Sequence, residues 1–258
     1  MENQIQPPET NKPSNQKWIV IAIGVGCALI ACIAVVVIVV LTLLGPAIGN
    51  VFSSISTNPI SNATSVPQIQ FPNVVMPPAR NHPQANGNKM GNPNAPVKII
   101  EYADFQCPFC MHYWQETEPQ IIQNYVATGK VYYEYHSVGG FIGPESADAA
   151  NAAYCAADQN KFWEYHDILF ANWTGENVGD FSPDKLRQFA SAIRLNLDQF
   201  NTCLSVGVHS DQVSKDVADA KAAGVSGTPA FIVNGKLVEG AQPYSTFQQT
   251  IDALLNGQ

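Results

Sequence analysis

Residues 97–110 read VKIIEYADFQCPFC, a β-branched and aromatic run that ends in two cysteines separated only by Pro108 and Phe109. The run predicts a strand over 97–105, and VYYEYHSV at 131–138 predicts a second. Between them a helix is expected from about Pro108 to Thr128, closed by Gly129. Pro108 suits its first turn, where a missing N–H loses nothing. This order places Cys107 where unpaired backbone N–H groups and the helix dipole stabilise a thiolate. Cys110, one turn further in, is then the resolving thiol that releases a mixed disulfide formed at Cys107. The chemistry needs no cofactor beyond the Cys107–Cys110 disulfide itself. A lone C-x-x-C can also be half of a zinc site, but zinc takes two more ligands. No second C-x-x-C or H-x-x-x-H lies near, and His112 reads as a helix-surface residue, so no metal is expected.

Toward the C-terminus, Gly143-Pro144 opens an alanine-rich helix through Asp158, and Ser182-Pro183 caps and starts another to about Arg194. Val206, Val213, Val217 and Ala220 predict one apolar face of a further helix that ends at Gly224. AFIV and KLVEG flank Asn234-Gly235, a type I′ hairpin signal, and Tyr244 to Leu255 completes the chain as a helix. The expected order is strand, helix, strand, a block of helices, then a hairpin and a helix.

Toward the N-terminus, WIVIAIGVGCALIACIAVVVIVVLTLL at 18–44 exceeds the roughly 20 residues that span a bilayer. It predicts one transmembrane helix. Lys12 and Lys17 precede it and no positive charge follows before Arg80, which puts residues 1–17 in the cytoplasm and the remainder outside. Leu29-Ile30-Ala31-Cys32 is a rival reading as a lipidation site, opposed by the apolar run that continues past Cys32. Residues 45–86, rich in Pro, Asn, Ser and Gly, read as a flexible linker, leaving 87–258 as the folded domain. The chain carries 13 Lys and Arg against 21 Asp and Glu, a net charge of −8. Its basic residues are scattered, so nucleic acid is not an expected partner.

Three stretches in order, GNPNAPVKIIEYADFQCPFC (91–110), DQNKFWEYHDILF (158–170) and SGTPAFIVNG (226–235), resemble the DsbA-like thiol oxidases. That resemblance covers about Gly87 to Gln258. It implies an α/β thioredoxin fold with a helical domain inserted at about 143–205. It also implies Cys107 as an exposed nucleophile, Cys110 as its buried partner, and Thr228 followed by a cis Pro229 packed on the disulfide, where the Thr228 backbone pairs with an extended substrate. Pro108 and Phe109 border the same surface. Glu101 matches a position that is commonly a buried acid, able to exchange a proton with Cys110; a solvent-facing strand residue is the alternative, and Asp104 an alternative carrier. Cys155 and Cys203, in expected helices of an oxidising compartment, form a structural disulfide, with two buried free thiols as the rival reading. His136 and His166 read as structural. The implied partners are exported proteins with free thiols and a membrane re-oxidase, quinone-linked, of the DsbB or vitamin K epoxide reductase type. A disulfide isomerase or reductase and a non-catalytic peptide-binding module are the competing functions.

Overall fold

The computed structural model describes residues 73–257. The apolar run 18–44, with the readings of orientation and lipidation that rest on it, and the linker as far as Pro72 lie outside them. Among the described residues no helix is long and apolar enough to cross a membrane.

Five strands form one sheet in the order β1-β3-β2-β4-β5, from β1 (Lys89–Met90), β2 (Val97–Ala103), β3 (Val131–Ser137), β4 (Ala230–Val233) and β5 (Lys236–Glu239). The central pair β2 and β3 is parallel, with Glu101 opposite Tyr135, and the other pairings are antiparallel. Side chains alternate across a strand, so Val97, Ile99, Glu101 and Ala103 share one face of β2, and all four are buried. The β4–β5 turn is Asn234-Gly235, both residues at positive φ (46° and 84°), as the expected hairpin type requires.

The connection from β2 to β3 departs from the single helix expected over 108–128. It comprises α1 (Pro108–Glu116), α2 (Glu118–Ile121) and a π-helical turn at Ile122–Val126. Pro119 interrupts the run because it has no N–H to continue the i to i−4 ladder, and the Gln120 side chain instead donates to the Glu116 carbonyl at 2.8 Å. Between β3 and β4 lie α3 (Pro144–Ala157), α4 (Phe162–Asn172), α5 (Pro183–Ala192), α6 (Leu197–Val206) and α7 (Ser210–Ala222), and α8 (Tyr244–Leu255) follows the hairpin. This is the α/β thioredoxin arrangement with a helical insertion. The apolar face expected across Val206 to Ala220 is divided by Gly207, in the left-handed region at φ 62°. Val213 and Ala220 are buried, whereas Val206 on the preceding helix is exposed.

Residues 73–86, expected as the end of the flexible linker, pack on the domain as a strap. Asn172 holds it by donating to the Val75 carbonyl at 2.8 Å while accepting from the Val75 N–H at 2.7 Å. Arg80 donates to the Trp114 backbone carbonyl at 2.8 Å, and its guanidinium lies 4.2 Å over the centroid of the Trp114 ring. Cys155 on α3 and Cys203 on α6 are disulfide-bonded, with Cα atoms 5.8 Å apart, so the free-thiol alternative does not hold.

The bridge closes 48 residues, and by chain entropy it should stabilise the fold by about 3 to 4 kcal/mol. Replacing both cysteines, Cys155→Ala with Cys203→Ala, should lower the urea midpoint of the full chain accordingly. An unchanged midpoint would show that the bridge contributes no net stability.

Candidate active site

Cys107 is the N-cap of α1, in an extended conformation (φ −77°, ψ 123°), with Pro108 in the first turn. Its own N–H is held by the Asp104 carbonyl at 3.0 Å, which fixes the tight turn between β2 and the helix. The two thiols are chemically unlike. A hydrogen bond from the Cys110 thiol, with others from the Thr228 side chain and the Cys110 and Phe109 backbone N–H groups, outweighs burial and brings the Cys107 pKa down to about 6. Cys110 is 0% exposed. Burial first, then the neighbouring Cys107 and the charge of Glu101, push its pKa well above that of an ordinary thiol. The site therefore holds its negative charge on the outer sulfur, and the inner one stays protonated.

The Thr228-Pro229 peptide is cis, and the Thr228 carbonyl accepts from Cys107 Sγ at 3.3 Å. That contact corrects one implied feature. Cys107 is only 5% exposed, so the nucleophile is not open to solvent but lies under the Thr228 backbone. The exposed member of the motif is Phe109, at 65%, with Pro108 exposed beside it.

Glu101 is 2% exposed, which removes its reading as a solvent-facing strand residue. Burial drives its pKa up to about 8, opposed by a 2.6 Å hydrogen bond donated by Tyr133. Tyr133 in turn shares a 3.0 Å hydrogen bond with Tyr113. Asp104 is also fully buried, but its carboxylate is engaged elsewhere: it accepts from the Gln106 N–H at 2.8 Å and the Ile142 N–H at 3.4 Å. It therefore ties the cysteine loop to the start of the insertion, while Glu101 keeps an oxygen free of backbone duty.

Other sequence candidates fall away from the dithiol. His112 is exposed and pairs with Glu116 at 3.3 Å. His136 meets Asp216 at 2.9 Å, and against the burial that pushes it down, Asp216 and Glu134 raise its pKa to about 9. His166 is buried beside Asp167. Two groupings among the described residues have metal-ligand side chains. In one, Cys155 and Cys203 are consumed by their disulfide; in the other, Arg80 and the Trp114 indole N–H already bind the carboxylates of Glu118 and Asp167. The Tyr133 and Tyr113 partners of Glu101 were not singled out in the sequence. Alternation along β3 puts Tyr133 on the core side, but aromatic residues at such positions are ordinarily plain core.

A sheet with a parallel central pair, a dithiol capping the helix that follows it and a cis-proline loop against the outer sulfur define a thioredoxin-type redox protein. The family described as thioredoxin matches residues 84–253, and the chain belongs to it. Its fold is that of BdbD from Bacillus subtilis, with a TM-score of 0.62 and 22% identity over 70% of this chain and 100% of that one. It is also that of alpha-DsbA1 from Wolbachia pipientis, at a TM-score of 0.58 and 23% identity, covering 70% of this chain and 94% of that one. In sequence it is 26% identical over 172 residues to the disulfide bond formation protein D of Bacillus subtilis, covering 66% of this chain and 77% of the relative. It is 36% identical over 156 residues to the Na(+)/H(+) antiporter NhaA 3 of Salinispora tropica, covering 60% of this chain and 22% of the antiporter. The chain thus spans about a quarter of the length of the antiporters it matches.

Two consequences are measurable. Thiolate absorbance of the reduced chain should rise with a midpoint near pH 6, the value set at Cys107, and Cys107→Ser should abolish that transition while Cys110→Ser keeps an acidic one. Glu101 is protonated in the folded chain up to about pH 8 but ionised in the unfolded chain above its ordinary 4.5. Between those values the folded state binds the extra proton, so stability falls as pH rises, by up to about 1.4 kcal/mol per unit. Glu101→Gln should flatten that slope in denaturation curves taken from pH 5 to 8, and an unaltered slope would place the titration elsewhere.

Proposed function

We propose that this chain is an extracytoplasmic thiol-disulfide oxidoreductase that introduces disulfides into exported proteins through Cys107 and Cys110. The observation that carries the reading is the split between the two sulfurs. A thiolate at Cys107 stabilises the reduced pair relative to the disulfide, so the disulfide is readily given away. An incoming substrate thiolate attacks Cys107 Sγ, the S–S pair leaves on Cys110, and a proton from Glu101 neutralises it. A second substrate thiol then resolves the mixed disulfide and Cys107 departs as a stable thiolate. Thr228, Pro229, Pro108 and Phe109 border the attacked sulfur and are the surface on which an extended substrate lies.

The name of the Bacillus subtilis relative, disulfide bond formation protein D, supports donation over reduction. The apolar run 18–44 and the lysines before it support a single-pass anchor with the N-terminus in the cytoplasm. A membrane-bound, quinone-linked re-oxidase of the DsbB or vitamin K epoxide reductase type is the partner that a disulfide donor in that position requires. An isomerase or reductase on the same fold is the second reading, favoured only by the shared dithiol geometry.

Equilibration of the full chain with glutathione decides between them. A donor should have a potential toward the roughly −120 mV end of the scale for such pairs, and Cys107→Ser should lose all exchange with a reduced, unfolded protein substrate. A potential near about −270 mV would make the chain a reductant.

A further inference from the structure

The cysteines of the structural bridge have neighbours that a disulfide does not call for. Cys155, in the last turn of α3, and Asp158, which caps the same helix, are three residues apart and so share a face. Cys203 comes from α6, and His209 from the N-cap of α7. His209 is fixed through its backbone, whose N–H donates to the Asn151 side chain of α3 at 2.9 Å. Its Nε2 meets Asp158 Oδ2 at 2.9 Å, and the same carboxylate oxygen stands 3.8 Å from Cys203 Sγ. Both sulfurs and a ring nitrogen of His209 lie within 4.8 Å of one another. A disulfide sulfur has no proton to give and no charge to balance, so the bridge by itself requires neither the carboxylate nor the imidazole.

We propose that these groups form a zinc site in the chain whose bridge is open, with the Cys155 and Cys203 thiolates, His209 Nε2 and Asp158 Oδ2 as its ligands. Cys107 and Cys110 take no part in it, so it stands apart from the exchange chemistry above. Zinc is held tetrahedrally at about 2.3 Å by sulfur and about 2.0 to 2.2 Å by nitrogen or oxygen, which sets neighbouring ligand atoms roughly 3.3 to 3.8 Å apart. The Asp158 oxygen already stands near such distances from both His209 Nε2 and Cys203 Sγ. Only the two sulfurs have to part, by rotation about the Cα–Cβ bonds of residues whose Cα atoms are 5.8 Å apart. Thiolate and imidazole donors select zinc, whereas calcium and magnesium take oxygen ligands.

Every chain is synthesised with both cysteines as thiols, so the open form precedes the bridge, and an oxidising compartment then closes it. Binding of Zn2+ displaces the two thiol protons, because the thiolate is the ligand. On closure the two thiolates give two electrons to an acceptor disulfide, which leaves as two thiolates; the Cys155–Cys203 bond forms and the ion departs. A low-molecular-weight thiol reverses this, two of its molecules being oxidised to their disulfide as the pair is reduced. The helices α3 and α6 are thus joined in both states, by the metal before oxidation and by the S–S bond after it. The sulfurs are buried, but the side chains of Asp158 and His209 are 40% and 22% exposed, and the ion enters from their side.

The test uses the full chain carrying Cys107→Ser and Cys110→Ser, so that the other dithiol does not compete. The chain is reduced with a phosphine, freed of reductant without oxygen, and titrated with Co2+, whose bonds to thiolate absorb in the near ultraviolet. One equivalent of Co2+ should give those bands in the reduced chain, Zn2+ should displace it, and the chain with its bridge intact should show neither. His209→Ala and, separately, Asp158→Asn should each weaken Co2+ binding by about tenfold or more, the scale of losing even a supporting partner of a metal. No bands in the reduced chain, bands that survive Cys203→Ala, or unchanged affinity in either ligand variant would overturn the proposal. So would a reduced chain whose far-ultraviolet helical signal is lost and is not restored by Co2+, since the ligands would then never be gathered.

Discussion

The structure turns on one electrostatic division: the first turn of α1 offers donors to the Cys107 sulfur, while the space directly under it offers almost none. Charge placed on Cys107 is met by the Cys110 thiol, the Thr228 side chain and the Cys110 and Phe109 backbone. Charge placed on Cys110 or Glu101 is met by desolvation. Burying an ion without a partner is expensive, and a buried acid neutralises instead. The parallel β2–β3 pair imposes this division, since it sets Glu101 on the core face of the strand that leads into the cysteine turn.

The helical insertion and the strap are tied into that division by buried polar side chains rather than by apolar packing alone. Asp104 joins the cysteine turn to Ile142 at the start of the insertion. Glu145 on α3 accepts from Gly179 at 2.7 Å and Phe181 at 3.1 Å, and Gln106 donates to it at 3.3 Å. Gln106 is the residue immediately before Cys107 and is fully buried. A carboxylate that satisfies three donors from two separate segments fixes their relative positions more tightly than aliphatic contact does. The strap does the same through Arg80, which binds Glu118 at 3.0 Å, and His82, which meets Asp167 at 3.1 Å. The sulfurs are consequently framed by elements distant in sequence.

Much of this was legible before any coordinates. The strand pattern of VKIIEYADF, proline after Cys107 and Asn234-Gly235 each carry a local signal that agrees with the structure, and the Cys155–Cys203 bridge agrees with an expectation drawn from the compartment and the resemblance. Local signals fail where a long-range partner decides the outcome. Arg80 and His82 sit in a Pro- and Asn-rich stretch that looks like linker, because nothing near them reveals Glu118 and Asp167 many residues away. The break at Pro119 was available in the sequence, yet the apolar periodicity on both sides of it outweighs one proline when only the pattern is read. Gly207 is the same case: a left-handed cap and a loop interrupt an apolar series that continues, by spacing, on both sides. The enclosed state of Cys107 could not be read at all, since it depends on the carbonyl of Thr228 arriving from the far end of the chain.

That last contact bears on how such a site is used. If Cys107 is the attacked sulfur, as proposed, its 5% exposure favours a group slender enough to come in beside the Thr228 backbone. The Thr228 carbonyl that accepts from a protonated Cys107 thiol has no such donor once that sulfur is a thiolate or part of a disulfide, and is then free to accept from another group. An extended peptide supplies such a donor in its own backbone N–H, as a strand does at a sheet edge. Under the proposed function, a preference for extended, unfolded chains follows, since a compact substrate with its N–H groups already paired leaves that carbonyl short of a partner when a mixed disulfide forms.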